Sequence, residues 1–285
     1  MSDDAYGATV AKRRLSRRLH ELRRASGHTA NQVCGLLGWG RGKVGRFEAN
    51  HWRRPEMSDI RDLLRVYGAD HAVREEVEAL AVQARVKPWW RDYSDVFDNE
   101  FPGFENDAKR IRVSMPLVLP GLLQTADYMQ VAVRAGARSP DWQRKAVEAR
   151  LRRQQILERS DGTVPQVVAV ITEASLMYRW GTSDERRKQL EHLIALNDRP
   201  NIELRIQRFA EGPVPLVWSM VNIFDFPGDE PSVVYLETDI AIQEVSTQHE
   251  VMSYVGGFSR SRDSALEPAE TTAYLKHLAE QLELS

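Results

Sequence analysis

Residues 29–48 read TANQVCGLLGWGRGKVGRFE. Thr29 followed three positions later by Gln32 forms a capping-box pattern, which predicts that a helix begins here and runs to about Leu37. Gly38 should end that helix, because glycine readily adopts the left-handed backbone of a helix terminus. Two short helices on either side of a glycine-containing turn are the plan of a helix-turn-helix unit.

The second helix of this pair is expected over about residues 41–49, with Val44 and Phe47 facing inward. The outward stripe then consists of Arg41, Gly42, Gly45 and Arg46. Glycine inside a helix costs about 1 kcal/mol relative to alanine, so this helix is unusual. Either the missing side chains let the backbone approach a ligand closely, or the helix is short, frayed at its start and held only by its two apolar residues.

The outward stripe carries the candidate base-reading residues, because the second helix of such a unit enters the major groove of DNA. The candidates for reading bases are Arg41, Gly42 and Arg46. A guanidinium can donate to both acceptors on the major-groove edge of a guanine. The candidates for phosphate contacts, which position a protein without specifying sequence, are Thr29, Lys43, Asn50, Arg53 and Arg54. The alternative interpretation is an ordinary solvated helix face.

Three further helices are expected around this pair. The first covers about residues 11–26, with apolar residues on one stripe at Ala11, Leu15, Leu19 and Leu22. The others cover about residues 58–68 and 71–86. The N-terminal part is therefore predicted to be an all-α helix-turn-helix domain of five helices.

Charge is distributed unevenly along the 285 residues, although the formal net charge is only −2. Residues 1–54 hold twelve Lys/Arg and four Asp/Glu, a net charge of +8, so the remaining residues carry −10. A basic segment on an acidic body is typical of a protein that binds a polyanion, such as double-stranded DNA, with one end.

Hydrophobic periodicity changes after the run Lys87-Pro88-Trp89-Trp90. Short strands are predicted over 167–172, 202–207, 219–226 and 232–237. Helices are predicted before, between and after them, over 125–135, 140–159, 184–197, 245–259 and 268–284. We therefore expect a disordered N-terminus (1–8), a DNA-binding domain (9–87) and an α+β C-terminal domain (88–285) that binds a partner or regulates.

Motifs for catalysis are missing from the sequence. It contains no paired histidines at metal-ligand spacing, no glycine-rich phosphate loop and no nucleophile elbow. Glu237 and Asp239 have a spacing that could serve acid–base chemistry, but such a pair more often caps a strand and faces solvent. We expect no enzyme activity, no catalytic residue, no metal and no cofactor.

The sequence also bears on cellular location. Cys34 is the only cysteine, which excludes an intramolecular disulfide. No run of about eighteen apolar residues is present, so no membrane span is expected. We predict a cytoplasmic protein that associates with the nucleoid when it is bound to DNA.

The run from Ser26 to Trp39, continued by Lys43 to Glu48, resembles the Xre-type helix-turn-helix of bacterial regulators. Further on, residues 119–128 (LPGLLQTADY) resemble the signature of an antitoxin-like C-terminal domain that commonly follows this module. The resemblance implies a transcriptional regulator, often paired with a small partner protein. Relatives usually carry Ser and Gln where this chain has residues 40–42 (GRG), and often a phosphate-contacting Gln at Ala30. The DNA sequence that is read should therefore differ from theirs.

The partners expected from these observations are double-stranded DNA and a second copy of the chain. One such module buries too little surface for high specificity, so two copies on a symmetric operator are expected. Residues 88–285 are expected to bind a small protein partner or to mediate dimerisation. Two alternatives remain open: an antitoxin-like protein that mainly sequesters its partner and binds DNA only for autoregulation, and a ligand-sensing regulator.

Overall fold

The computed structural model describes residues 7–52, 54–134, 136, 138–216, 219–238, 242–245 and 247–283. The chain divides into two compact units between Asp92 and Tyr93, a few residues beyond the predicted limit at Lys87. An all-α first unit followed by an α+β second unit is the fold class that the sequence predicts. No helix among these residues has the length and apolar character needed to cross a membrane.

The first unit contains five helices. They are α1 (Ala8–Ala25), α2 (Ala30–Leu36), α3 (Lys43–Glu48), α4 (Met57–Val66) and α5 (His71–Ala84). The first of them begins at Ala8, a turn earlier than the apolar stripe suggests, and packs against α5. The sequence predicts disorder over residues 1–8. Ala8 is instead helical, and residues 1–6 lie outside the described residues.

The core of this unit contains the apolar residues that define the helical stripes. Leu15 and Leu19 of α1, Val33 of α2, Val44 of α3 and Leu63 of α4 are fully buried. Burying a side chain of this kind contributes roughly 1.5–3 kcal/mol. The same core therefore holds the short helices α2 and α3, which are marginal on their own.

The second unit combines seven helices with a six-stranded sheet among the described residues. The helices are α6 (Phe101–Asp107), α7 (Ala126–Arg134), α8 (Pro140–Gln154), α9 (Glu173–Met177), α10 (Ser183–Asn197), α11 (Gln248–Asp263) and α12 (Pro268–Glu283). The strands are β1 (Arg110–Met115), β2 (Gln166–Thr172), β3 (Ile202–Gln207), β4 (Met220–Asp225), β5 (Val233–Glu237) and β6 (Ile242–Val245).

The sheet has the order β3-β2-β1-β4-β5-β6. The pairs β1–β2 and β2–β3 are parallel, whereas β4 pairs antiparallel with β1 and β5, and β6 pairs antiparallel with β5. Helices α10 and α12 pack on each other and on β3, and α11 packs against β5. The register aligns the buried residues Ile111, Val167 and Ile202 across the three parallel strands.

Two strands were not predicted from the sequence. The central strand β1 alternates buried residues with Arg110 and Arg112, and the two arginines hide its apolar period. At the far edge, β6 occupies residues 242–245, and α11 begins at Gln248, so the helix predicted over 245–259 is present but its predicted start is three residues too early. Three of the four residues of β6 are exposed, so it carries little apolar signal.

Candidate nucleic-acid interface

The helix-turn-helix unit begins with the predicted capping box. The Thr29 hydroxyl oxygen accepts the Gln32 amide N–H at 3.2 Å, and the Gln32 side-chain oxygen accepts the Thr29 amide N–H at 2.8 Å. These two bonds satisfy backbone donors that the first turn of a helix leaves free. Gly38, with φ of 65°, turns the chain after Leu37.

Helix α3 begins at Lys43, two residues later than predicted. Gly42 precedes it as the N-cap residue with φ of 82°, a left-handed conformation that glycine adopts without steric cost. The prediction that Arg41 and Gly42 lie in the first helical turn is therefore wrong. Arg41 belongs to the turn that leads into α3, and its side chain is exposed there.

A largely buried ion pair holds α3 against α1. The Arg23 guanidinium donates to both carboxylate oxygens of Glu48, at 2.5 and 2.9 Å, and also to the His28 carbonyl at 2.8 Å. The two side chains are only 13% and 11% exposed. The hydrogen bond to Glu48 raises the pKa of Arg23 above its ordinary value, so this guanidinium stays charged. The bidentate geometry fixes where α3 lies on the domain.

Aromatic rings support α3 from the inside. Phe47 is buried between Trp39 and Trp52, with ring centroids 6.4 and 5.8 Å away. The Trp52 indole N–H donates to the Phe47 carbonyl at 3.1 Å and lies 3.0 Å from the Ser16 hydroxyl oxygen. The apolar side of α3 is thus fixed, and its opposite side faces solvent.

Two exposed arginines lie at α3, one in the turn before the helix and one on its solvent side. Arg41 and Arg46 are exposed, and neither has a hydrogen-bond or ion-pair partner within the ranges that the structure describes. Gly45 precedes Arg46 on the helix, and a Cβ atom placed on it would meet nothing within 4 Å. Two cationic groups therefore flank a stretch of backbone that an approaching ligand could reach.

Lys43 has a different environment from the two arginines. Its ammonium lies 2.8 Å from a carboxylate oxygen of Asp59 on α4 and 4.0 Å from the centroid of the Trp39 ring. The side chain is half-buried. A phosphate that contacts Lys43 would thus compete with the Asp59 carboxylate, which already binds the ammonium group.

The other candidate phosphate contacts lie at the ends of the two helices. Thr29 is exposed at the start of α2, and Arg54 is exposed after α3. Asn50, which has φ of 60°, follows α3, and its side-chain oxygen accepts a hydrogen bond of 3.3 Å from Ser16 on α1. Arg53 lies outside the described residues.

Comparison with protein families agrees with this division of the chain. A family model described as a helix-turn-helix domain matches residues 14–77, which contain all of the candidate DNA-contacting residues. A second, described as a domain of unknown function (DUF5753), matches residues 99–277, more than half of the chain. The chain belongs to this family. No curated protein and no solved structure matches it.

The helix-turn-helix match supports a DNA-binding regulator. Sequence reasoning identified the exposed arginines but missed the pairs Arg23–Glu48 and Lys43–Asp59. Both pairs join residues on different helices, so no spacing rule within one helix predicts them. The only available signal was that Glu48 is one of just four acids among the first 54 residues.

In the DUF5753 domain, the run Pro120–Thr125 forms a buried turn rather than an exposed recognition loop. The Gln154 amide donates to the carbonyls of Gly121 and Gln124, at 3.0 and 2.7 Å. Gln189 donates to the Leu123 carbonyl at 2.8 Å, and its oxygen accepts the Thr125 N–H at 2.7 Å. Glutamines on α8 and α10 thus satisfy backbone groups of a buried turn.

A buried ion pair lies beside the same turn. Arg153 donates to both carboxylate oxygens of Glu105, at 2.6 and 2.7 Å, and its guanidinium lies 3.4 Å from where a Cβ of Gly121 would stand. Burial lowers the pKa of Arg153, but Glu105 outweighs it and leaves the pKa raised. Glycine at position 121 therefore leaves room for this pair.

Proposed function

We propose that this protein is a sequence-specific DNA-binding transcriptional regulator that places α3 and the turn before it in the major groove. The observation that carries the proposal is the pair of exposed arginines, Arg41 and Arg46, without internal partners in the described residues. In proteins of this kind the second helix of the motif reads base edges. Each guanidinium can span the two acceptors of a guanine.

The remaining candidates would position the duplex. Thr29 at the start of α2, Asn50 and Arg54 after α3, and Arg53 would contact phosphates, as would Lys43 after exchanging Asp59 for a phosphate oxygen. Gly42 would let the backbone approach the bases. Such contacts release counterions and make the affinity depend on salt.

Two copies of the chain on a symmetric operator would supply the surface that a single module lacks. We further propose a cytoplasmic protein that joins the nucleoid when bound to DNA and has no enzymatic activity. The resemblance to Xre-type regulators with an antitoxin-like domain, noted from the sequence, supports this role.

For the DUF5753 domain we propose a regulatory role through a protein partner or through dimerisation. The net charge of −10 beyond residue 54 favours a protein partner over a second nucleic-acid site. An antitoxin-like protein that mainly sequesters its partner remains the alternative. Two results together would favour sequestration. A small protein would co-purify with residues 93–285, and a chain without these residues would still regulate normally.

Selection of bound duplexes from a random pool by the full-length protein tests the central proposal. We expect enrichment of one motif with two related half-sites and a steep loss of affinity as salt rises. A folded protein that enriches no motif at any salt concentration would contradict sequence-specific binding. A motif that contains a single half-site would contradict only the symmetric dimer.

A further inference from the structure

A cavity of about 650 Å³ opens in the DUF5753 domain at the end of the sheet where the parallel strands finish. Pro116, which follows β1, lines this cavity together with Thr172 and Gln207, the last residues of β2 and β3. Glu237, the last residue of β5, also lines it.

The topology of the sheet favours a ligand at this place. From β1 the chain adds β2 and β3 on one side and then crosses to β4 on the other side. In open α/β sheets, ligands bind outside the carboxyl ends of the parallel strands. The cavity lies outside the carboxyl ends of β1, β2 and β3.

The size and lining of the cavity fit a small, mainly apolar molecule. Ligand pockets for such molecules measure about 300–1,000 Å³ and are lined mostly by apolar groups with a few polar ones. Here Leu117 and Phe209 line the cavity and are 53% and 62% exposed, so they offer apolar surface to a ligand. Ala174, Pro213 and Met220 contribute further apolar lining.

A buried amide identifies the polar part of the ligand. Gln207 is only 3% exposed, and its side-chain oxygen accepts a hydrogen bond from Ser264 at 3.1 Å. Its Nε2 is buried and has no acceptor within the part of the chain that the structure describes. A buried donor without an acceptor costs stability, which an acceptor oxygen on a ligand would restore.

Charge in the lining favours a neutral ligand. Glu237 contributes a carboxyl group that accepts the Asn222 amide at 2.6 Å, and Arg208 contributes a guanidinium. Arg208 already pairs with Glu211, so neither charged group of the lining depends on a ligand of opposite charge.

We propose that this cavity is a binding site for a small, neutral, mainly apolar molecule whose carbonyl oxygen accepts a hydrogen bond from Gln207 Nε2. The site belongs to the DUF5753 domain alone and does not depend on DNA binding. It is a site for a metabolite-sized molecule rather than for a protein surface, because its donor is buried.

The test uses two fluorescent probes and the full-length protein. Prodan is neutral and apolar and carries one ketone oxygen, whereas 2-dimethylaminonaphthalene has the same ring system without the ketone. Saturable binding of Prodan with a blue-shifted emission is expected. Gln207→Leu should weaken Prodan binding about fivefold to tenfold, the value of one hydrogen bond, and should change binding of the ketone-free probe less than twofold. Gln207→Glu keeps an acceptor for Ser264 but lacks the amide donor. It should also weaken Prodan binding more than binding of the ketone-free probe.

Two tryptophan variants locate the probe. Ala174→Trp fills the cavity and should weaken binding of both probes at least tenfold, whereas Val147→Trp, in a different hollow between α7 and α8, should leave both unchanged. Melting temperatures establish that each variant is folded. Absence of Prodan binding to the wild type, or unchanged binding to folded Ala174→Trp, would overturn the site. Equal weakening of both probes by the Gln207 variants would overturn the carbonyl contact.

Discussion

At the scale of single residues, the three cations around α3 differ in what they contact within the protein. Arg41 and Arg46 are exposed and have no partner among the described residues, whereas Lys43 is bound to Asp59 and lies over Trp39. A free guanidinium loses little when it turns to a base edge, but Lys43 must first give up a carboxylate. We therefore expect the arginines to supply specificity and Lys43 to supply at most a point charge.

Arg41→Ala should cost about 1–3 kcal/mol of binding free energy on the selected operator and relax preference at one base pair. Binding to scrambled duplex should change less, because phosphate contacts remain. Titration of both duplexes at several salt concentrations measures these effects. Lys43→Ala is the comparison and should weaken binding to both duplexes by the same factor. Equal losses on both duplexes for Arg41→Ala would show that Arg41 only positions the helix.

The pair Arg23–Glu48 should be the most important electrostatic contact in the helix-turn-helix domain. Glu48→Ala leaves a mostly buried guanidinium without its carboxylate, and we expect the free energy of unfolding to fall by about 3 kcal/mol. Glu76→Ala removes a carboxylate that pairs with Arg18 and Arg14 at a more exposed site, and it should cost less than about 1 kcal/mol. Urea unfolding of residues 1–92 compares the two variants. A loss for Glu48→Ala no larger than for Glu76→Ala would refute the anchoring role.

At the scale of elements, α3 is a six-residue helix that depends on its neighbours. Gly42 begins it in a left-handed conformation, and Gly45 lies within it with open space where a side chain would be. Gly45 lowers the helix propensity of this segment, and the packing of Val44 and Phe47 compensates. The backbone of α3 is consequently accessible on the side that carries Arg46.

Gly45→Ala separates helix stability from DNA approach. Alanine should raise the free energy of unfolding by up to about 1 kcal/mol, because its Cβ meets nothing in the protein. The same methyl group should weaken operator binding if the backbone of α3 lies against the duplex. Gly35→Ala in α2, where a Cβ also meets nothing, is the matched control and should stabilise without weakening binding. Unchanged operator affinity in Gly45→Ala would rule out a close backbone approach.

At the scale of the whole molecule, charge is distributed unequally between the two compact units. The basic segment, residues 1–54, lies within the first compact unit, which ends at Asp92, and the acidic remainder includes the whole second unit. Electrostatic attraction to a duplex should therefore come from the first unit. The formal net charge of −2 for the whole chain does not reveal this distribution.

Residues 1–92 should fold independently and bind DNA more weakly than the full chain. The logarithm of the affinity should fall linearly with the logarithm of salt, with a slope of about −0.9 for each phosphate neutralised. Circular dichroism establishes folding, and titration between low and physiological salt measures the slope. A folded fragment without affinity for any duplex at low salt would place the DNA-binding surface elsewhere in the chain.

The local sequence by itself determined the helix-turn-helix plan and most elements of the α+β domain. The capping box at Thr29 and the strand Ile202–Gln207 appear as predicted, because capping and side-chain alternation depend on residues within a few positions. The tertiary structure alone decided the start of α3, the pair Arg23–Glu48 and the central position of β1. It also placed Gln207 in a cavity with Glu237. Contacts between distant residues leave no period in the sequence, since they form only when separate elements pack together.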